Sequence, residues 1–178
     1  TCYKSEGKMC QDSDTKLFDK LLRINHMAMT EFVGDIVVKL YCSRAVTHEV
    51  VRARLFSFAQ LSQRYVSMDK ADVQFVLPGH ITAKELSDGD HPIFVRSCIN
   101  SANDYRDRIT YGEHKQTARG SLNNDCYTEI WMKANFREWT HTFGLRMDSA
   151  AHRDYRMLMC AIFETLLWDN PDLYSMVA

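Results

Sequence analysis

The stretch from Arg52 to Tyr65 reads RARLFSFAQLSQRY. It sets three arginines (Arg52, Arg54 and Arg64) among two serines (Ser57 and Ser62) and two glutamines (Gln60 and Gln63). Arginine offers a planar fork of N–H donors that matches a phosphate group, and a serine hydroxyl adds a short neutral donor. A helix end running into a loop also presents backbone N–H groups to an anion. These are the residue types of a phosphate site. Taken alone, they also compose the solvated basic face of an ordinary helix, which is the commoner use of such charges, so the flanking sequence has to decide.

Upstream, Thr47 is expected to cap a helix whose apolar face carries Val51, Leu55 and Phe58. Asp35 to Cys42 is β-branched and aromatic and predicts a strand. Ser13 to Asn25 predicts an amphipathic helix, with Ser13 or Asp14 as cap and Leu17, Phe18, Leu21, Leu22 and Ile24 as its stripe. Downstream, Gln63 to Met68 and Val73 to Leu77 predict strands, broken by Pro78-Gly79. Asp90 and Pro92 open a long helix reaching about Tyr111. Tyr127 to Met132 reads as a short strand or a short helix, and its residues do not choose. Asn135 to Leu145 predicts a helix with Phe136, Trp139 and Phe143 on one side; Arg137 and His141, four apart, share the other. Ser149 to Trp168 predicts a last long helix, ending before Pro171. The expected class is α+β: a single domain over residues 1–178, with a central mixed or antiparallel sheet flanked by long helices.

With 178 residues, 46% of them hydrophobic, the chain can bury a real core. Twenty-two Lys and Arg against 23 Asp and Glu give a net charge of -1. That balance argues against a dedicated nucleic-acid binder, which carries a basic excess. No run approaches the length of a membrane span, and the polar start Thr1 to Glu6 does not read as a signal peptide. Six cysteines (Cys2, Cys10, Cys42, Cys98, Cys126 and Cys160) are scattered, without C-x-x-C or zinc spacing. They read as thiols of a reducing cytoplasm, and no metal site is expected.

Arg52, Arg54, Ser57, Ser62, Arg64 and Tyr65 match the signature R-H-R-x-x-S-x-x-x-x-x-x-R-Y, with its frequent second serine, and so resemble the flavin-dependent thymidylate synthases. The lead-in Ser43-Arg44-Ala45-Val46-Thr47-His48-Glu49-Val50-Val51 resembles that family's S-R-x-x-x-H-E-x-V. Near the N-terminus, Cys2-Tyr3-Lys4-Ser5 and His26-Met27-Ala28-Met29-Thr30-Glu31-Phe32 resemble its C-x-K-S and H-x-x-x-x-E-[HF] elements. Toward the C-terminus, Ala118-Arg119, Leu122, Thr128-Glu129, Asn135, Arg137-Glu138-Trp139, His141, Phe143 and Leu145-Arg146 follow in order, and Ala151 to Arg156 resembles A-Q-x-E-[IY]-R. The blocks stand in register over nearly the whole chain.

The resemblance implies the flavin-dependent thymidylate synthase fold and a homotetramer with active sites between subunits. It implies FAD as cofactor, NADPH as reductant and methylenetetrahydrofolate as one-carbon donor, acting on a pyrimidine deoxynucleotide, dUMP, to give dTMP. No enzyme cysteine attacks the ring in that family. By the same resemblance, Ser62, Gln63 and Arg64 hold the nucleotide phosphate with Arg119. Glu49 lies near sugar or base, and Arg52 and Gln60 sit between nucleotide and flavin. Arg54, Asn135, Arg137, His141 and His26 attend the FAD. Arg146 contacts the uracil edge as the catalytic group, where a fixed positive charge favours the electron-rich ring.

The sequence departs from the pattern at four places. Ala53 replaces the central His of R-H-R, Ala59 an Asn, Asn123 a Pro, and His152 the Gln of A-Q-x-E. Ala53 removes an imidazole that both donates and accepts hydrogen bonds. Two further readings follow. A relative could keep the nucleotide grip and hydroxymethylate C5, or act on dCMP. A protein of another class could bind nucleotide on the same fold without catalysis. The expected location is the cytoplasm of a bacterium or of a virus-infected cell.

Overall fold

A computed structural model describes residues 11–66 and 73–169. The match at Cys2 to Glu6, the expected strand end at Met68 and the Pro171 boundary lie outside these residues. Helix α1 (Gln11–Arg23) leads through a 3-10 turn (Met27–Phe32) into strand β1 (Asp35–Ser43). Helix α2 (Arg44–Val50) and strand β2 (Ser57–Gln60) follow, then α3 (Ala83–Asp88), α4 (Pro92–Thr110) and α5 (Lys115–Ala118). A short 3-10 turn precedes β3 (Tyr127–Asn135), and α6 (Phe136–Arg146) and α7 (Arg153–Asp169) complete the described chain.

The three strands form one antiparallel sheet in the order β1-β3-β2. Asp35 to Ser43 pairs with Asn135 to Tyr127, and Ser57 to Gln60 pairs with Lys133 to Ile130. Alternation gives each strand two faces. Leu40, Cys42, Thr128, Ile130, Met132 and Ala134 point inward and are buried. Val37, Tyr41, Trp131 and the ion pairs Lys39–Glu129 and Lys133–Asp35 occupy the exposed outer face. The inner face carries the main core, closed by Phe136, Trp139 and Phe143 of α6 and Tyr155, Met159 and Ile162 of α7. The Trp139 indole N–H donates to the Ile36 carbonyl at 3.2 Å, which ties α6 to β1. Burying each such side chain contributes roughly 1.5–3 kcal/mol. A smaller core joins Val73, Ala102, Tyr105, Ala118 and Cys126 beside α4 and α5.

The structure corrects several expectations. The helix expected from Thr47 runs instead over Arg44–Val50. Its cap is Ser43, whose hydroxyl accepts from the Val46 N–H. Val51, Leu55 and Phe58 form no helical stripe: Val51 is 43% and Leu55 72% exposed, and Phe58 belongs to β2. Gln63 to Val66 is a turn, and Val73 to Leu77 makes only one bridge, Phe75 to Cys126. Tyr127 onward is a strand, the central one. The sheet is antiparallel, with no parallel pair among the described residues. Helix α1 begins before Ser13 and Asp14, which lie inside its first turns, and α7 begins at Arg153, after a turn through Ser149 and Ala151. The long helix from Pro92, the helix expected over Asn135 to Leu145 and strand β1 agree with the sequence reading, with Asn135 standing as the cap of α6 instead of inside it.

Candidate active site

Helix α2 ends at Val50, and the chain then folds through consecutive tight turns. The Arg52, Ala53 and Phe56 N–H groups donate to the carbonyls of Glu49, Val50 and Ala53. Phe56 anchors these turns: it is buried and meets the Trp139 ring edge-on at 4.9 Å. With Phe56 pinned inside, Arg52 and Arg54 stay at the surface. They face α6 across a cleft of about 230 Å³ lined by Arg52, Ala53, Arg54, Leu55 and Phe56 on one wall. Glu138, His141, Thr142, Leu145 and Arg146 form the other wall. Four expected site residues, Arg52, Arg54, His141 and Arg146, thus share one cleft.

Glu49 stands beside it. Its carboxylate lies 4.0 Å from the Arg52 guanidinium and 4.0 Å from that of Arg146. Both contacts are long, so the carboxylate is bracketed without being consumed. The Arg146 guanidinium in turn sits over the Tyr155 ring, 5.6 Å from its centroid.

A second group forms where the turn after β2 meets α5. The Ser62 hydroxyl accepts the Arg64 N–H at 3.3 Å, which shapes the turn. Gln63 is buried, and its side-chain amide donates to the Cys126 sulfur at 3.5 Å. Arg64 donates to the Gln116 side-chain oxygen and Arg119 to the Gln116 carbonyl, each at 3.2 Å. One residue, Gln116, therefore holds both arginines. Gln60 points into the layer between α2 and β3, donating to the hydroxyls of Thr47 at 3.1 Å and Thr128 at 3.4 Å.

The sequence reading missed a member of this group, Arg44. It opens α2 and is half-buried, and its Nη1 is sealed from solvent without a hydrogen-bond partner. Burial lowers its pKa from the usual arginine range; Cys126 works against that shift and the Arg119 charge adds to it. Arginine remains a cation under such a shift. A partly buried cation with one sealed, unpaired N–H group near a second cation is costly unless an anion joins them. The only signal in the sequence was its place in the Ser43 to Val51 lead-in.

Other expected residues are engaged elsewhere. Asn135 caps α6, its side-chain oxygen accepting the Glu138 N–H at 3.0 Å. Arg137 pairs with Glu31 of the 3-10 turn. His26 is exposed at the start of that turn and does not line the cleft. The departures also find explanations. Ala53 is half-buried and packs against the main core while lining the cleft. Asn123 makes bonds that a proline could not make. Its N–H donates to Ser101, its side-chain N–H to Ser97, and its side-chain oxygen accepts the Asp125 N–H. Ala59 is exposed on the outer sheet face, opposite Trp131. The structure does not explain His152.

The cysteines of the described region do not enter the cleft. Burial pushes the Cys42 thiol up to about 11. Burial likewise raises Cys126 and Cys98, with smaller downward pulls from Arg44 on the first and Asn123 on the second. A thiol with a raised pKa is a poor nucleophile at neutral pH.

The arginines thus gather in two places, at the turn after β2 and along a cleft whose walls are partly apolar. Residues 1–171 match the family model described as thymidylate synthase complementing protein. The chain is 31% identical over 179 residues to the flavin-dependent thymidylate synthase of Geobacter sulfurreducens, covering 97% of this chain and 76% of that protein. It is 33% identical to the enzymes of the same name from Corynebacterium diphtheriae and Pyrococcus furiosus. Those alignments cover 87% and 92% of this chain and 66% of each relative. The chain belongs to the thymidylate synthase complementing protein family, whose curated relatives are flavin-dependent thymidylate synthases. Among the described residues no helix is long and apolar enough to cross a membrane.

Proposed function

We propose that this chain is the subunit of an FAD-dependent enzyme that transfers a one-carbon unit from methylenetetrahydrofolate to C5 of dUMP, giving dTMP, with NADPH as reductant. The observation that carries the reading is the sealed Nη1 of Arg44 near Arg119, in the group that also holds Arg64. Cations gathered in a partly desolvated place favour a dianion, and a nucleotide phosphate is one. Ser62, Gln63, Arg64 and Arg119 would hold it, joined by Arg44.

The pyrimidine then belongs with Arg146 and Glu49. A guanidinium held against the Tyr155 ring offers preorganised positive charge where the uracil ring becomes electron-rich, and needs no reorganisation as that charge develops. Glu49 is only loosely bracketed, so it can accept a hydrogen bond from sugar or base. The raised thiols of Cys42, Cys98 and Cys126 suit a reaction that uses no cysteine nucleophile.

The residues also suit FAD in part. Arg52, Arg54 and His141 line the cleft and match a diphosphate. Asn135, Arg137 and Gln60 would join only after leaving their present partners, and exposed His26 only with a second copy close by. A cleft of about 230 Å³ lies below the roughly 300–1,000 Å³ that encloses a drug-sized ligand, and FAD is larger. One chain therefore supplies part of a wall, which supports a homotetramer with sites between subunits. FAD held there, once reduced by NADPH, would supply the hydride needed to bring the transferred carbon to a methyl group.

The test is flavin uptake. The purified chain mixed with FAD and desalted should stay yellow, run as a tetramer by light scattering, and change its flavin spectrum on adding dUMP. A colourless protein that binds dUMP would favour the non-catalytic nucleotide-binding reading. A monomer that turns over substrate would remove the shared-site argument.

A further inference from the structure

Tyr155 on α7 is fully buried at 0% exposure, and its hydroxyl oxygen has no hydrogen-bond partner. A buried phenol normally finds one, and leaving it unmet costs about 1–3 kcal/mol. The surroundings are not those of a plain core tyrosine. The Arg146 guanidinium lies over its ring, and Glu49 lies 4.0 Å from that guanidinium. Burial pushes the phenol up to about 12; the Arg146 charge lowers it and Glu49 raises it, so both charges act on the hydroxyl. The hydroxyl is thus neutral in use and can accept an N–H.

We propose that Tyr155 is a positioning residue for Arg146: its ring is the shelf that orients the guanidinium, and its buried hydroxyl is held for an Arg146 N–H when the nucleotide engages Glu49. The inference rests on the reading above, in which Arg146 serves the pyrimidine. The geometry supplies its logic. Arg146 now divides its donors between a distant carboxylate and open cleft. Once Glu49 turns to the ligand, the guanidinium loses that partner, and Tyr155, whose ring lies under it and whose hydroxyl is unpaired, is the residue left to hold it. The hydroxyl would then be unpaired before binding and paired after it, so its pairing adds to affinity.

The experiment compares Tyr155→Phe, Arg146→Ala and the double variant with the wild-type protein, reading dUMP dissociation constants and melting midpoints without nucleotide. Tyr155→Phe keeps the shelf and removes only the unpaired oxygen. It should melt no lower than wild type, yet bind dUMP roughly tenfold more weakly, the size expected for one hydrogen bond to a charged group. In the Arg146→Ala background the same change should cost less than twofold, because a residue that acts through Arg146 has nothing left to position. A tyrosine that merely supports the fold would give the reverse: a lower melting midpoint and unchanged affinity. Equal losses in both backgrounds, or an unchanged dissociation constant in Tyr155→Phe, would overturn the proposal and leave the nucleotide reading standing. A wild-type protein that binds neither dUMP nor dCMP would overturn both.

Discussion

Replacing Arg44 by methionine is expected to raise stability and weaken nucleotide binding at once. Methionine keeps an unbranched apolar stem in the same place and deletes the charge. In the protein without nucleotide, the sealed Nη1 has no partner and the guanidinium feels the like charge of Arg119. An unmet buried donor costs about 1–3 kcal/mol. Part of the guanidinium still reaches solvent, so the lower end, about 1 kcal/mol, is the appropriate gain. For a chain of this size that raises the melting midpoint by about 2–4 °C. With nucleotide the sign reverses. Losing one partner of a desolvated charge-assisted contact costs about 2–5 kcal/mol, so affinity should fall at least about thirtyfold. Scanning fluorimetry with and without dUMP reads both effects in one plate. An Arg44→Met variant that melts lower and binds dUMP as tightly as wild type would show that Arg44 supports the fold and has no part in the phosphate grip.

Three further outcomes follow from the same geometry. Arg64→Ala should weaken dUMP binding by about 2–5 kcal/mol while FAD affinity changes much less; equal loss of both ligands in titration would place Arg64 in the subunit interface. Ala53→His inserts an imidazole at a half-buried cleft position packed on the core. An ordinary synthase should tighten FAD or leave it unchanged and keep the methylated product. A large loss of activity with the fold intact, the result expected from overpacking at about 1–3 kcal/mol, would count against that reading. Asp125 is raised, first by burial and then by the Asp154 carboxylate. Its folded form therefore holds the proton more tightly than the unfolded chain, and stability falls as pH rises through that interval. Asp125→Asn should raise the melting midpoint at pH 7, and the gain should vanish below about pH 4, the ordinary aspartate range; a pH-independent difference would refute this.

The helices were legible because their signals are local. Pro92 opens α4, and Phe136, Trp139 and Phe143 recur at helical spacing in α6. Strand β3 stayed ambiguous because Glu129, Met132 and Ala134 suit helices, although inward Thr128, Ile130 and Met132 alternate with outward Glu129, Trp131 and Lys133. The Thr47 error came from Val51, Leu55 and Phe58, whose spacing imitates a helical stripe. The pairing of Ser57 to Gln60 with β3 overrides that pattern, and nothing local announces it. At the site, the motif residues divide between a cleft and a turn, and only tertiary contacts reveal the division. The sealing of Arg44 and of the Tyr155 hydroxyl is likewise a property of packing. Each needs β3, α5 or α7 in place, and no spacing within a segment records it.

The central claim is the transfer of one carbon to a pyrimidine nucleotide. Its most direct test is the mass of the nucleotide recovered after incubating the protein with FAD, NADPH, methylenetetrahydrofolate and either dUMP or dCMP. The dUMP is expected to gain one CH2 unit, becoming dTMP, and the dCMP to stay unchanged. A product heavier by CH2O would mean hydroxymethylation, and modification of dCMP alone would mean a cytosine-directed relative. Recovery of both nucleotides unaltered, from protein that holds FAD and binds dUMP, would contradict the account.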